Sequence, residues 1–397
     1  MLPAYPARYV VPVPQRHLIV LCAIASQIAI SLVQFGLPAL TLALRTDRGV
    51  STVEFAFLFG ATGVGPAVAL IAAGRLCDRI GARPVLIGGS IIGATGLTVA
   101  GLAPTLPVMF VALLISGVGA AAVPVAGMTA ILTHFPPAKR GRILGLRQMA
   151  VPVGGFVAAG LLPVLYHVGG FGLAFSVPAV LVLAFGFLFA YAAGPGQHQA
   201  DLPPMRASFP VPLRWVMVTG ALYVTTLGGV LTFTVSAAHD AGLSETGAAI
   251  VFAALNLGAA AARVVWGFAA DRAGGSRRVA TLSALGLLGA ATVIPFPFAL
   301  RAGIVPGVIA AVLLAFGTLG FNGIVYVIAG EVAGRSAGVA VGAASTVVFL
   351  VGSITPPAFG LIAEQSGFGV MFATLALFCV AGALTARRIA HRAYTPA

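Results

Sequence analysis

Residues 74–84 read Gly-Arg-Leu-Cys-Asp-Arg-Ile-Gly-Ala-Arg-Pro. They form a charged island between two long apolar runs, in a chain where charged residues make up 8% of the total. A looser copy follows at Gly267, Asp271, Arg272 and Gly274, then Arg277 and Arg278. Gly74, Asp78, Arg79 and Gly81 each meet their partner at a constant offset of 193 residues, close to half of the 397. A charged loop written twice in an apolar chain predicts two related halves.

The apolar background sets the solvent. Hydrophobic residues are 59% of the chain and the mean hydropathy is +1.06. A water-soluble fold of this size cannot hide so much apolar surface, so lipid is the expected surroundings. A span needs about 20 apolar residues. Twelve runs near that length occur, at 17–43, 53–74, 84–103, 106–133, 143–166, 171–193, 214–237, 246–269, 279–299, 303–329, 338–362 and 368–386; they are spans 1 to 12 below. The first run lacks a small-residue cleavage site and reads as a retained span. The most polar stretch, 194–213, divides an N-terminal half, 1–193, from a C-terminal half, 214–397.

The net charge of +13 sits in short clusters between apolar runs, as membrane topology produces, and does not predict nucleic-acid binding. With the N-terminus in the cytoplasm, 19 of the 22 Lys and Arg fall on the cytoplasmic side; Arg45, Arg48 and Arg301 fall outside. An even number of spans puts both termini there, in a cell inner or plasma membrane. Cys22, Cys77 and Cys379 are scattered, which gives neither a disulfide framework nor metal-ligand spacing. No metal, no cofactor and no catalytic constellation is expected, so the chain does not read as an enzyme. Gly117-Val-Gly119-Ala-Ala-Ala122 mimics a dinucleotide fingerprint but lies inside span 4 with no preceding strand, and reads as helix packing.

The repeat extends beyond the loop. Lys139-Arg140-Gly141-Arg142-Ile143-Leu144-Gly145 aligns at the same offset with Val332-Ala333-Gly334-Arg335-Ser336-Ala337-Gly338, and Phe171-Gly172 recurs as Phe368-Gly369 after a slip of four. The pattern Gly-x-Leu-x-Asp-Arg-x-Gly-x-Arg at 74–83 resembles the signature loop between helices 2 and 3 of the major facilitator superfamily. The resemblance covers essentially the whole chain, although Ala82 stands where that family often has a basic residue. It implies an all-α membrane protein with twelve transmembrane helices in two pseudo-symmetric halves, working by alternating access. It also implies a gating set: Gly74, Asp78, Arg79, Gly81 and Arg83, with Gly267, Asp271 and Arg272 in the second copy. Gly74 and Asp78 share a helix face. The resemblance implies that Asp78 meets the start of span 11 near Gly338, and Asp271 the start of span 5 near Gly145, where a helix N-terminus favours negative charge. The bland alternative makes both loops solvated topology anchors.

Polar residues inside spans face an interior or a cavity. Span 1 places Gln27, Ser31 and Gln34 on one face, and span 7 places Thr219, Tyr223 and Thr226 at the same spacing. Span 10 adds Thr318, Asn322 and Tyr326, and span 8 adds Asn256 and Arg263. In the family, spans 1, 4, 7 and 10 line the cavity. The expected substrate residues are therefore Arg263, Asn256, Asn322, Gln34, Tyr326, Tyr223 and Gln27, while lone Ser and Thr bond back to their own helix. Arg263 lies eight residues inside Asp271, about 12 Å of helix. Its place resembles the span 8 arginine of monocarboxylate transporters and the oxalate/formate exchanger, which implies a carboxylate ligand. Arg147, one turn into span 5, is expected to snorkel to the basic face. None of the nine acidic residues falls at mid-span, and Glu54 is the nearest candidate. The expected function is secondary transport of a small organic anion, with or without protons, by a monomer in the bilayer. The alternative is a proton-coupled efflux pump for drugs or metabolites.

Overall fold

A computed structural model describes residues 13–135, 137–194, 211–273, 275–333 and 337–393. Among these, ten helical segments are long and apolar enough to cross a membrane. Two of them, Leu146–Ala193 and Ala340–Ala390, run to 48 and 51 residues, more than twice the ~20 that one crossing needs. Each is broken by glycine. The first changes direction at Gly169 and at Gly170 (φ 64°, ψ −164°), the second at Gly367 (φ 82°, ψ 164°). A side chain tolerates neither positive φ. Counting each broken helix as two gives the twelve spans. Gly170 and Gly367 lie 197 residues apart, which is the repeat offset plus the slip of four seen at Phe171 and Phe368.

The two halves repeat the same packing. Span 1 (Val13–Gln34) packs on the helix Pro137–Ala193 that carries spans 5 and 6, as span 7 (Val211–Asp240) packs on the helices of spans 11 and 12. Span 2 (Thr52–Ile80) packs on span 4, as span 8 (Glu245–Ala273) does on span 10. Span 3 (Ala82–Leu102) lies against spans 4 and 6, as span 9 (Gly275–Val293) does against spans 10 and 12. The halves meet along two seams, spans 5 and 8 on one side and spans 2 and 11 on the other.

Glycine sets the approach of the helices. A Cβ on Gly119 would stand 2.3 Å from the Gly93 backbone N, and one on Gly117 would stand 2.7 Å from the Pro66 ring. The fingerprint-like glycines of span 4 thus seat it against spans 2 and 3. Gly81, at φ 85°, makes the turn out of span 2 and donates its N–H to the Cys77 carbonyl at 2.9 Å. At the other end of span 2, Ser51 Oγ accepts from the Glu54 N–H at 3.1 Å while Glu54 accepts from the Ser51 N–H at 2.8 Å. This capping box accounts for Glu54.

Candidate functional site

The polar face of span 1 turns toward its neighbours in the N-terminal half. Arg147 donates to Gln27 Oε1 at 3.0 Å. Its side chain lies over Gly127 of span 4, where a Cβ would stand 2.8 Å from Nε. Arg147 is 4% exposed, so it does not snorkel. Gln27 supplies the acceptor and Gly127 the slot that hold it inside. Ser31 packs on Gly154 of span 5. Gln34 donates to the Thr62 carbonyl of span 2 at 3.4 Å and borders a cavity of about 20 Å³ shared with Thr62, Ser90 and Ser116, room for one water.

Span 7 departs from the sequence expectation. The Tyr223 hydroxyl donates to the Leu282 carbonyl of span 9 at 2.8 Å, Thr219 meets Thr385 of span 12 at 2.9 Å, and Thr226 donates to the Leu375 carbonyl at 3.3 Å. All three face the interior of the C-terminal half. The reason is a one-residue register. Residues 219, 223 and 226 follow 27, 31 and 34 at an offset of 192, whereas the repeat runs at 193. One residue turns a helix by about 100°. The true counterpart of Thr219 is Ser26, which donates to the Phe185 carbonyl of span 6 at 2.8 Å, as Thr219 reaches span 12.

Two of the remaining candidates, Arg263 and Asn256, lie at the seam between spans 5 and 8, and two, Asn322 and Tyr326, on span 10. Arg263 Nη1 donates to the Gln148 carbonyl across the seam at 2.7 Å. Its Nε is buried and has no partner. Tyr326 lies within electrostatic range of Arg263 and against Ser345. Asn256, 1% exposed, donates to the Phe252 carbonyl at 3.0 Å and lays its amide on Gly155 of span 5. Asn322 Oδ1 is buried without a partner at the start of the second helix of span 10, Asn322–Ala333, while Thr318 bonds back to the Leu314 carbonyl at 2.7 Å. Among the described residues the ion pairs are His167–Glu245 and Arg278–Glu331; neither involves Arg263 or Arg147.

The loop residues lie at the basic end. Asp78, Arg79, Arg83, Asp271 and Arg272 are exposed, Gly74 and Gly267 half-buried, and Gly81 buried. Cβ atoms at Gly74 or Gly267 would meet open space. The surroundings of Gly338 and Gly145, the expected partners of Asp78 and Asp271, lie outside what is described. Arg272 reaches over the Phe268 ring at 6.0 Å.

The opposite end carries contacts that sequence reasoning missed. His167 faces Glu245 across the 5–8 seam at 3.4 Å. Glu364 of span 11 accepts from the Val53 N–H at the start of span 2 at 3.1 Å. Tyr166 donates to Asp47. These partners are remote in sequence, and no local pattern marks them.

Twelve spans in two repeated halves, with cationic and amide side chains at the seams, define a membrane protein of transporter architecture. A family model described as Major Facilitator Superfamily matches residues 19–235, more than half of the chain. The chain belongs to that family. It is 26% identical over 230 residues to the Fujikurins efflux protein of Gibberella fujikuroi, covering 56% of this chain and 47% of that one. It is 32% identical over 127 residues to an uncharacterised MFS-type transporter of Mycobacterium tuberculosis, covering 32% of this chain and 28% of that one. The chain thus spans less than half the length of these relatives. Among solved structures it resembles a bacterial homolog of the human lysosomal transporter Spinster. The inward-facing, occupied form gives a TM-score of 0.78 at 16% identity, over 98% of this chain and 100% of that one. The inward-facing, unoccupied form gives 0.75 at 18%, with the same coverage.

Proposed function

We propose that this protein is a secondary transporter of a small organic anion, a carboxylate, working by alternating access with Arg263 as the anion-binding residue. One observation carries the reading. Arg263 lies at the seam of the halves with a buried, unpartnered Nε, a backbone carbonyl on Nη1 and no carboxylate bonded to it among the described residues. An uncompensated guanidinium in the hydrocarbon layer costs several kcal/mol, and a substrate anion is its natural counter-ion. Tyr326 lies close enough to Arg263 to feel its charge, and in this reading it orients the ligand together with Asn322 and Asn256. Gln27, Gln34 and Tyr223 are bonded inside their own halves and support the helices that carry the site. The basic clusters place the loop at 75–83, the stretch 194–213 between the halves and both termini in the cytoplasm of an inner membrane. The protein acts as a monomer, as a proton symporter, an exchanger or a uniporter.

The test is thermal stabilisation of the purified protein by lactate and oxalate, against a neutral sugar and a cationic dye. The carboxylates stabilise the wild type. Arg263→Lys keeps the charge but loses the planar fork, which weakens their binding by about 1.5–3 kcal/mol. Stabilisation by the dye alone, equal in Arg263→Lys, would establish the efflux reading instead. That second reading is favoured by the likeness to the Fujikurins efflux protein.

A further inference from the structure

In an α-helix the carbonyl of residue i−4 is closed by the N–H of residue i, and proline has no N–H. Pro152 lies inside the helix Pro137–Ala193, so the Gln148 carbonyl has no donor from its own helix at that position. This is the carbonyl that Arg263 Nη1 meets at 2.7 Å from span 8. In an apolar layer a bare carbonyl and a bare guanidinium are both costly, and here Arg263 Nη1 answers the carbonyl while Nε stays without a partner. Gln148 is exposed and Arg263 half-buried, so a solute can reach the bond. Deeper in the seam Asn256 packs on Gly155, and at the far end His167 faces Glu245.

Building on the anion reading, we infer that Pro152 is a positioning residue that makes the Gln148 carbonyl the resting partner of Arg263, a latch that the incoming carboxylate must displace. The carbonyl is neutral, whereas a carboxylate carries the opposite charge and accepts two bonds from the same fork, so the exchange is favourable. Drawing Arg263 off span 5 frees the basic end of the 5–8 seam while the His167–Glu245 end stays joined. Binding is then coupled to opening, because the ligand favours the unlatched arrangement.

The experiment measures the distance between spin labels at Leu146→Cys and Phe268→Cys, exposed sites on spans 5 and 8, in a chain otherwise free of cysteine and without ligand. Pro152→Ala restores an N–H that competes with Arg263 for the Gln148 carbonyl and weakens the bond across the seam, so the distribution lengthens and broadens. Arg263→Met breaks the same bond from the other side and gives the same change, and the double variant adds nothing further. A Pro152→Ala distribution equal to wild type, or a change that adds to that of Arg263→Met, overturns the latch. Should Pro152→Ala fail to fold, Arg263→Met decides, an unchanged distribution overturning the latch. In parallel, oxalate and lactate bind Pro152→Ala about two- to tenfold tighter than wild type, the scale of one hydrogen bond no longer competed for; unchanged or weaker binding counts against the latch. If neither carboxylate binds the wild type, the anion reading fails, and the ligand-free distances still decide whether Pro152 sets the latch.

Discussion

The two seams between the halves are built from opposite materials. Along spans 5 and 8 the contacts are polar: Arg263 on the Gln148 carbonyl, the Asn256 amide on Gly155, and His167 facing Glu245. Along spans 2 and 11 they are backbone against glycine. Cβ atoms on Gly60 and Gly63 would stand 2.4 Å from the Ser353 carbonyl oxygen and 2.0 Å from its Oγ. Gly63 precedes Asn256 by 193 residues, so both occupy one place in the repeat. The small residue is on span 2 in one seam, and the large one is on span 8 in the other. Repeated scaffolds thus join in different ways: glycine lets the helices of one seam approach closely, and side-chain contacts cross the other.

Wedging the glycine seam is expected to give the largest effect. Gly60→Ala drives a methyl into a backbone carbonyl that cannot rotate away. It should destabilise the protein by about 1–3 kcal/mol, the scale of overpacking, read as a lower melting temperature in detergent. Gly63→Ala meets the end of a serine side chain that can turn, so it should cost clearly less. On the polar seam, Gly155→Ala displaces the Asn256 amide from its bond to the Phe252 carbonyl, at about 1 kcal/mol. Small and equal losses at Gly60 and Gly63 would mean that the seam has enough slack to absorb a methyl, and would break the contrast.

Most of the scaffold was legible in the chain. The apolar runs gave the spans, and the slip of four between the loop repeat and the Phe-Gly repeat coincides with the turn glycines Gly170 and Gly367. The site was legible only in part. A polar stripe shows that a face is special but not which neighbour it meets, and an offset wrong by one residue moved Tyr223 to the wrong side of span 7. Depth alone made Arg147 a snorkelling residue; its burial depends on Gln27 and Gly127, which belong to other spans. Arg263 stood out because a charge inside a span is costly wherever the helix turns. Pro152 was visible in the sequence, but the donor that answers its missing N–H comes from the other half.

The basic ends of the seams sharpen the comparison at a smaller scale. The 5–8 seam reaches Gln148 and Arg263, whereas the Gly74 face of span 2 is open and Asp78 is exposed. Asp78→Asn should therefore leave the stability of this arrangement unchanged. It should disfavour a state closed at the basic side by about 0.3–2 kcal/mol, the scale of one charge at a helix N-terminus. The measurement is transport in proteoliposomes beside the melting temperature. Lower transport at unchanged stability is expected, and Asp271→Asn, in the looser copy, should do less. Full transport in Asp78→Asn would leave the loop as a topology anchor. Labelling Ser276→Cys and Ala302→Cys, both exposed positions, with an impermeant reagent checks the orientation beneath this argument: they should react from opposite sides.

The smallest effect is expected at the far ends, where the seams are again held differently. Glu364 accepts from the Val53 N–H, a free donor at the start of span 2, and that bond persists whatever the charge of any histidine. His167–Glu245 is an ion pair when His167 carries a proton, and both side chains are largely exposed, at 60% and 43%. Water and salt screen such a pair, so Glu245→Gln should cost no more than about 1 kcal/mol, and less in high salt. Glu364→Gln keeps an acceptor oxygen for Val53 and loses only a charge–dipole contact at a helix N-terminus, so it should depend on salt less than the ion pair does. Melting curves of the two variants at low and high ionic strength separate the cases. A larger salt-dependent loss in Glu245→Gln than in Glu364→Gln assigns the larger electrostatic part of the far-side closure to the 5–8 seam. Salt dependence of equal size in both would mean that the two seams close by the same force at that end, and that their difference lies at Arg263 and Gly60.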